Sequence, residues 1–576
     1  MLLKVLGGNQ KIGNGSRRGE YEVYRFIRSL LIDSKERSMA NMNGANALVK
    51  QLISEGVDTV FALPGAQIMT AFDAMHQAQD DISLIHTRHE QATTYMADGF
   101  AKVTGRPGVA MVTPGPGALN AASGLGTAYA CSSPVLLVSG QIPSRFIGKG
   151  TGQLHEVNDQ LDVFKPITKW NYRVSDMAEI PIAVHEAFRQ LTTGNPGPVE
   201  LEIAPDIMTQ IGEVEIIEKE IFSQPQPFDS DIQRAVELIA SSKQPTIIAG
   251  GGTIASGASE EVTRLAELIQ AAVMTTPQGK GVIDENSHLS VGVNSAIGPA
   301  GLVLPESDLV IAVGTRLSPR GVQLEVMPTL IQIDIDPSEI GRRFDAEVGI
   351  IGDARQCLSA ILSKLETVSI DTGTRNEDVL ALRKKFKDEV ERLAPRQLSI
   401  IDSIRNALHD DAIVVQGETN IGHWSSVAFT VGQPKTYLAS SYFGTLGYSY
   451  PTALGCQAAF PGRQVIALCG DGGFMYSPQE LSTAMTYGLN VVAVVFNNGS
   501  FGSSKWDQEK AFSGRYIGTD LVNPDFVVLA ESFGAVGVRT NAEGIGDAIK
   551  DAFSRNSPVV VDVEIENMMP PFQIVE

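Results

Sequence analysis

The sequence predicts an α/β protein built from three doubly wound parallel-sheet domains in series. At about 150 residues per domain, the 576-residue chain has room for three or four separate cores. From Ala47 onward, amphipathic helical stretches alternate with short apolar runs bounded by Gly and Pro, which is the pattern of βαβ units. Hydrophobic residues at 43% and charged residues at 19% fit a compact chain and argue against disorder. The 45 basic and 66 acidic residues leave a net charge of −21, which repels nucleic-acid phosphate and anionic membrane surfaces, so neither is an expected partner.

Residues 1–38, rich in charge around Arg17, Arg18, Glu20 and Glu22, read as a disordered N-terminal extension. The first domain is expected over 42–212, with strands at 59–62, 108–113, 134–139 and 199–203. A charged, proline-bearing linker over 213–231 follows. The second domain, 232–366, carries buried strands at 245–252, 308–314 and 330–336. Its Gly250-Gly251-Gly252-Thr253-Ile254-Ala255 fits the dinucleotide fingerprint GxGxxA, although a tight strand-to-helix turn uses the same glycines with no phosphate present. After a polar connector at 369–378, the third domain spans 380–576, with strands at 412–416, 464–469, 490–496 and 559–563. The two outer domains resemble each other in size and alternation.

Cys131, Cys357, Cys456 and Cys469 form no CxxC pair and predict neither a zinc knuckle nor a disulfide framework. A reducing, cytoplasmic setting is expected. No window reaches 18 consecutive apolar residues, so membrane insertion is not expected.

The strongest chemical signal is in the third domain, where the apolar run 465–469 empties into Gly470, Asp471, Gly472 and Gly473. A carboxylate at a strand end, flanked by glycines that let phosphate approach backbone N–H groups, is a common way to hold a magnesium diphosphate. A second apolar run delivers Asn497-Asn498-Gly499, 27 residues from Asp471 to Asn498. That spacing accommodates a crossover helix and brings two hard oxygen ligands to one sheet edge.

These residues resemble the thiamine diphosphate enzymes of the acetolactate synthase, pyruvate oxidase and benzaldehyde lyase kind, whose signature is GDG followed by NN. The resemblance extends over 42–563 and implies pyrimidine-binding, central and diphosphate-binding domains in that order. It implies a Mg²⁺ site of Asp471, Asn498 and the carbonyl of Ser500. Gly470, Gly472 and Gly473 would lie along the diphosphate. In the first domain, Arg88-His89-Glu90-Gln91-Ala92 is similar to the segment whose glutamate pairs with the cofactor aminopyrimidine, which makes Glu90 the leading catalytic candidate. The run from Thr113 to Asn120 is similar to the loop closing over the cofactor, and Gly65 and Asn120 join the cofactor-binding set. Gly444-Thr445-Leu446-Gly447 is similar to the segment in which a bulky apolar side chain, here Leu446, holds the cofactor bent. Gly417 and Thr419 are placed to help bind the diphosphate. Gln153, 63 residues after Glu90, falls at the separation of an active-site glutamine. Gln67 and Trp506 are substrate candidates. His89 and His155 lie near the site by motif position, where a lone His is more often structural.

The resemblance further implies decarboxylation of a 2-oxo acid, with carboligation of the resulting enamine to a second carbonyl compound. The alternatives are benzaldehyde lyase-like or 2-hydroxyacyl lyase cleavage of a 2-hydroxy carbonyl compound and, from another class, a non-catalytic nucleotide-binding or assembly protein on this fold. The residues 166–170, PITKW, favour the lyase side, and Gly152 ahead of Gln153, where synthases usually carry Phe, departs from the strict acetolactate synthase pattern. Asn195 stands where flavin-binding members carry Arg, so thiamine diphosphate and Mg²⁺ are expected and FAD is not, unless Arg316 and Arg320 replace that charge. A homodimer or homotetramer is implied, with the first domain of one subunit facing the third domain of its partner.

Overall fold

The computed structural model describes residues 39–294, 297–319, 326–370, 372 and 375–573. The expected extension 1–38 and Arg320 lie outside them. Within the described residues, three six-stranded parallel sheets follow one another along the chain. Their central strands are buried runs such as Gly108–Val112, Leu309–Val313 and, up to its last residue, Val465–Gly470, as expected of sheets covered by helices on both faces.

The first sheet is ordered Ser83–His86, Thr59–Ala62, Gly108–Val112, Val135–Gly140, Val199–Ile203, Trp170–Val174. In the third, the order is Tyr437–Leu438, Ile413–Gln416, Val465–Gly470, Val492–Asn497, Val559–Glu564, Val536–Asn541. Both are the order 2-1-3-4-6-5 within their own domain, so the similarity expected of the outer domains extends to topology. The central sheet, from Ser290–Val293 through Pro245–Ala249 to Val348–Ile351, instead has the 3-2-1-4-5-6 order of a dinucleotide-binding fold.

The stretch read as a linker is partly ordered. Ile211–Glu215 pairs antiparallel with Met39–Asn43, closing a two-stranded ribbon, and the helix Asp229–Ser241 starts before the expected boundary. The polar connector likewise gives way to the helix Arg375–Leu393.

The first and third domains share a core through two helices, Glu90–Thr104 and Ser449–Ala459. Their backbones come so close that a Cβ on Gly99 would lie 2.2 Å from the Thr452 carbonyl oxygen, and one on Gly455 2.0 Å from that of Met96. Only glycine allows this approach. Lys102 is buried in the same interface against Asp98 at 2.8 Å, with the Tyr448 hydroxyl at 3.0 Å. Among the described residues no helix is long and apolar enough to cross a membrane, and the four cysteines are free thiols.

Candidate active site

In an open parallel sheet, the chain leaves adjacent strands in opposite directions where the strand order reverses, and a crevice opens at their C-terminal ends. In both outer sheets that reversal falls between the first and third strands of the domain. In the first sheet, Gly65 follows Thr59–Ala62 and the turn 113–117 follows Gly108–Val112. In the third, Gly417 and Thr419 follow Ile413–Gln416, and Asp471 opens the helical turn after Val465–Gly470.

Glu90 begins the helix Glu90–Thr104, where the backbone dipole favours a carboxylate. His89 caps that helix, its Nδ1 accepting from the Gln91 N–H at 3.2 Å. Asn120 Nδ2 donates to Glu90 Oε2 at 3.0 Å. A Cβ on Gly117 would lie 3.3 Å from Glu90 Oε1 and 2.8 Å from Thr113 Cγ2, and one on Gly65 would be 2.6 Å from Thr113 Cβ. The glycines therefore let Thr113, Glu90 and the turn close up on one another.

Gln67 is buried beside them, with Oε1 accepting from the Thr113 hydroxyl at 2.9 Å and Nε2 donating to the Leu154 carbonyl at 3.1 Å. His155 Nδ1 lies 3.1 Å from the same Gln67 oxygen. Gln153 makes different contacts, its amide donating to Thr151 Oγ1 and its backbone N–H to Glu156 Oε2. The structure thus brings His155, rather than Gln153, to Gln67 and Thr113. Gly148, Gly150 and Gly152 all adopt positive φ, and the turns they make shift the loop's register in a way that counting along the chain does not reveal.

At the third sheet Asp471 is 2% exposed, and its two oxygens accept from the N–H groups of Gly472 at 2.9 Å and Gly499 at 2.8 Å and from Asn523 Nδ2 at 2.7 Å. Burial pushes its carboxyl above the ordinary range, against the pull of these donors. Asn498 Oδ1 accepts from the backbone N–H and hydroxyl of Ser500. Asp471, Asn498 and Ser500 therefore meet at the ends of two adjacent strands. Gly470 packs on Thr419, and Leu446 Cδ2 lies 3.9 Å from where a Gly473 Cβ would sit. Gly444 and Gly447 take positive φ around Leu446. Trp506 is half-buried on the helix Gly502–Phe512, its indole N–H without a partner among the described residues.

Three residues at this edge escaped the sequence reading. Asn523 bridges Asp471 and Asn497, and Asn567 joins Asn498 to Asn420. Glu480 accepts the Arg88 N–H at 3.1 Å and so ties the start of the Glu90 helix to the third domain. Burial raises the Glu480 carboxyl as well. Each reaches its partner only through tertiary folding, and none carries a local motif.

A cavity of about 1360 Å³ lies between the central domain and its neighbours, lined in part by Asn195, Gly251, Arg316, Asp334, Glu418 and Gly444. Burial lifts the Asp334 carboxyl to about 6.

Three family models match the chain: the thiamine pyrophosphate enzyme N-terminal binding domain over 42–163, the central domain over 232–361, and the C-terminal binding domain over 418–563. The chain belongs to the thiamine diphosphate enzymes, of the acetolactate synthase-like kind. A probable acetolactate synthase large subunit of Methanocaldococcus jannaschii is 37% identical over 568 residues, covering 92% of this chain and 94% of that one. The acetolactate synthase large subunit of Corynebacterium glutamicum is 34% identical over 560 residues, covering 92% and 88%. A probable 2-ketoarginine decarboxylase of Pseudomonas aeruginosa is 33% identical over 500 residues, covering 86% and 88%. As a thiamine diphosphate enzyme, the chain has a strand edge that fits a cation-bound diphosphate. Its oxygen donors are hard, its one carboxylate is desolvated, and the space at Gly473 is open, a Cβ there meeting nothing nearer than 3.9 Å.

Proposed function

We propose that this enzyme uses thiamine diphosphate and Mg²⁺ to decarboxylate a 2-oxo acid and join the remaining fragment to a second carbonyl compound. The observation that carries this reading is the pair of strand-end constellations, Glu90 held by Asn120 in the first domain and Asp471 with Asn498 and Ser500 in the third. When bound, thiamine diphosphate supplies the electron sink that loss of CO₂ from a 2-oxo acid requires. Glu90 keeps Oε2 engaged by Asn120, which leaves Oε1 to exchange a proton with the cofactor aminopyrimidine. Asp471, Asn498 and the Ser500 carbonyl would hold the Mg²⁺, and Asn523 and the Gly499 N–H orient the Asp471 carboxylate. Leu446, beside Gly473, would shape the floor on which the cofactor bends.

Exposed apolar side chains flank both halves of the site: Leu119 next to Asn120, and Met475 and Tyr476 after Gly473. A second copy of the chain covering them is the assembly this reading requires, with Glu90 and Asp471 of different subunits serving one site.

The central cavity has the room a dinucleotide needs, and the cationic side chains that line it already contact protein groups. The Gly250 and Gly252 N–H groups donate to the Val313 and Gly314 carbonyls and are not free for phosphate. Arg316 donates to the Ala130 carbonyl and stacks on Tyr442, and Arg342 pairs with Glu339. FAD is accordingly not required in this reading.

A second reading, decarboxylation with release of an aldehyde, is favoured by the relative named as a probable 2-ketoarginine decarboxylase. Purified protein given thiamine diphosphate and Mg²⁺ without FAD, and offered pyruvate, 2-oxobutyrate, 2-ketoarginine, benzoin and a 2-hydroxyacyl thioester, separates these outcomes. CO₂ release with a branched 2-hydroxy-3-oxo acid product is expected. CO₂ with aldehyde alone selects the second reading, turnover of benzoin or the thioester alone selects the lyase alternative, and activity only with added FAD overturns the flavin argument.

A further inference from the structure

We propose that His155 is a second acid–base group of this site, exchanging a proton with substrate oxygen or carbon through Nε2, and that Gln67 is the positioning residue that fixes the required tautomer. This rests on the reading of the site as a thiamine diphosphate centre. The Gln67 amide is oriented by its Nε2, which donates to the Leu154 carbonyl at 3.1 Å, so Oε1 is the atom that faces His155 Nδ1 at 3.1 Å. The Thr113 hydroxyl donates to the same oxygen at 2.9 Å. An amide oxygen can only accept, so the hydrogen lies on Nδ1, and a neutral ring then carries its basic lone pair on Nε2. Among the described residues, no hydrogen bond or ion pair engages Nε2.

The backbone of His155 is locked against the turn that reaches Glu90. A Cβ on Gly115 would lie 2.4 Å from the His155 carbonyl oxygen, and Gly117, two residues further on, abuts Glu90. His155 itself has φ +69°, a left-handed conformation uncommon for a residue other than glycine. Glu156 accepts backbone N–H groups of Thr151 and Gln153, and Glu90 accepts from Asn120.

In the step assigned to it, neutral Nε2 takes the proton of a substrate hydroxyl as the bond from the hydroxyl-bearing carbon to its neighbouring carbon breaks, so that the oxygen becomes a carbonyl and the electron pair of the broken bond stays with the departing carbon. The imidazolium then returns the same proton to a substrate carbon or oxygen, so the ring ends neutral and no oxidant, reductant or further reactant is consumed. Gln67 holds the Nδ1 hydrogen throughout.

Two measurements on the full chain test this. In cofactor-free protein labelled with ¹⁵N-histidine and assigned with His155→Gln, the two-bond nitrogen–proton spectrum should show His155 as the Nδ1–H tautomer, and Gln67→Leu should shift it toward Nε2–H. In the holoenzyme, His155→Ala should lower kcat about 100-fold and leave deuterium exchange at the cofactor's thiazolium carbon within about twofold of wild type, and free imidazole should restore part of the lost rate. An Nε2–H tautomer in wild type, an unchanged kcat, or absence of imidazole rescue overturns the proposal. Thiazolium exchange that does not depend on Glu90 would instead overturn the reading of the site on which it rests.

Discussion

Asp471 owes its position to three donors, and the donors differ in what their loss would do. The Gly472 and Gly499 N–H groups belong to the backbone and survive any side-chain change, whereas Asn523 supplies the one side-chain bond to the carboxylate among the described residues. Replacing Asp471 by Ala deletes the only acid among the proposed ligands, and titration calorimetry with Mg²⁺ should show thiamine diphosphate binding weakened by 100-fold or more, since a charged hydrogen-bonded contact is worth about 1.5–3 kcal/mol and the cation's charge is then uncompensated. Asn523→Ala leaves all three ligands in place but frees the carboxylate to rotate, so about a 10-fold loss is expected, in line with the cost of removing an outer partner of a metal ligand. Equal retention of cofactor by both variants and the wild type would place the cation elsewhere. The two residues also mark the limit of what the sequence reveals. Asp471 and Asn498 stand at the ends of continuous apolar runs and among glycines, a local pattern that needs no fold to be seen. Asn523 meets Asp471 across 52 residues and Glu480 meets Arg88 across 392, and nothing in either neighbourhood announces the partner.

The same distinction holds for the strands. Buried strands such as Thr59–Ala62, Val199–Ile203 and Val559–Glu564 are visible as apolar runs because helices cover both faces of the sheet. Trp170–Val174 and Val536–Asn541 are edge strands with mostly half-exposed side chains and show no such run. Val199–Ile203 also hides a feature its apolar neighbours mask: Glu200 and Glu202, both buried, share one face of the sheet. Ser139 donates to Glu200 at 2.5 Å, and Gln160 links Ser139 to the Gly115 N–H at 2.9 Å, so this acidic layer supports the turn that carries Gly117 to Glu90. Burial first, and the charge of Glu202 second, push Glu200 well above the ordinary carboxylate range, and burial raises Glu202 as well despite Arg173. An acid whose pKa is raised by folding binds more protons folded than unfolded, so the folded state loses stability as pH climbs above the unfolded carboxylate value of about 4.3. Glu200→Gln removes the charge and keeps an oxygen for Ser139. Its melting temperature relative to wild type should therefore move in the variant's favour between about pH 5 and pH 8, by about 2 °C or more for each kcal/mol relieved. A pH-independent difference would mean that Glu200 ionises no more reluctantly in the fold than out of it.

At the scale of the whole molecule, the question is whether one chain or two make a site. Within one chain the first and third domains are joined by the glycine-mediated contact of Glu90–Thr104 with Ser449–Ala459, while apolar side chains beside both Asn120 and Gly473 remain exposed. If a second chain covers them and the sites are shared, two inactive variants should rescue each other. In a mixed dimer of Glu90→Ala and Asp471→Ala subunits, one site receives both substitutions, and the other receives Glu90 from one chain and Asp471 from its partner, both intact. Unfolding and refolding an equal mixture, or co-expressing the two with different tags, gives half mixed dimers with one working site in two, so about a quarter of wild-type activity should return at saturating thiamine diphosphate and Mg²⁺. If each site were built within a single chain, every site in the mixture would carry one substitution and the activity would stay at the level of the separate variants. Tandem-tag purification of the mixed dimer makes the comparison sharper, since that species alone should show about half the wild-type rate. Its thiazolium exchange should fall by the same factor, because Glu90 and the cofactor anchored by Asp471 would then be working across the subunit boundary.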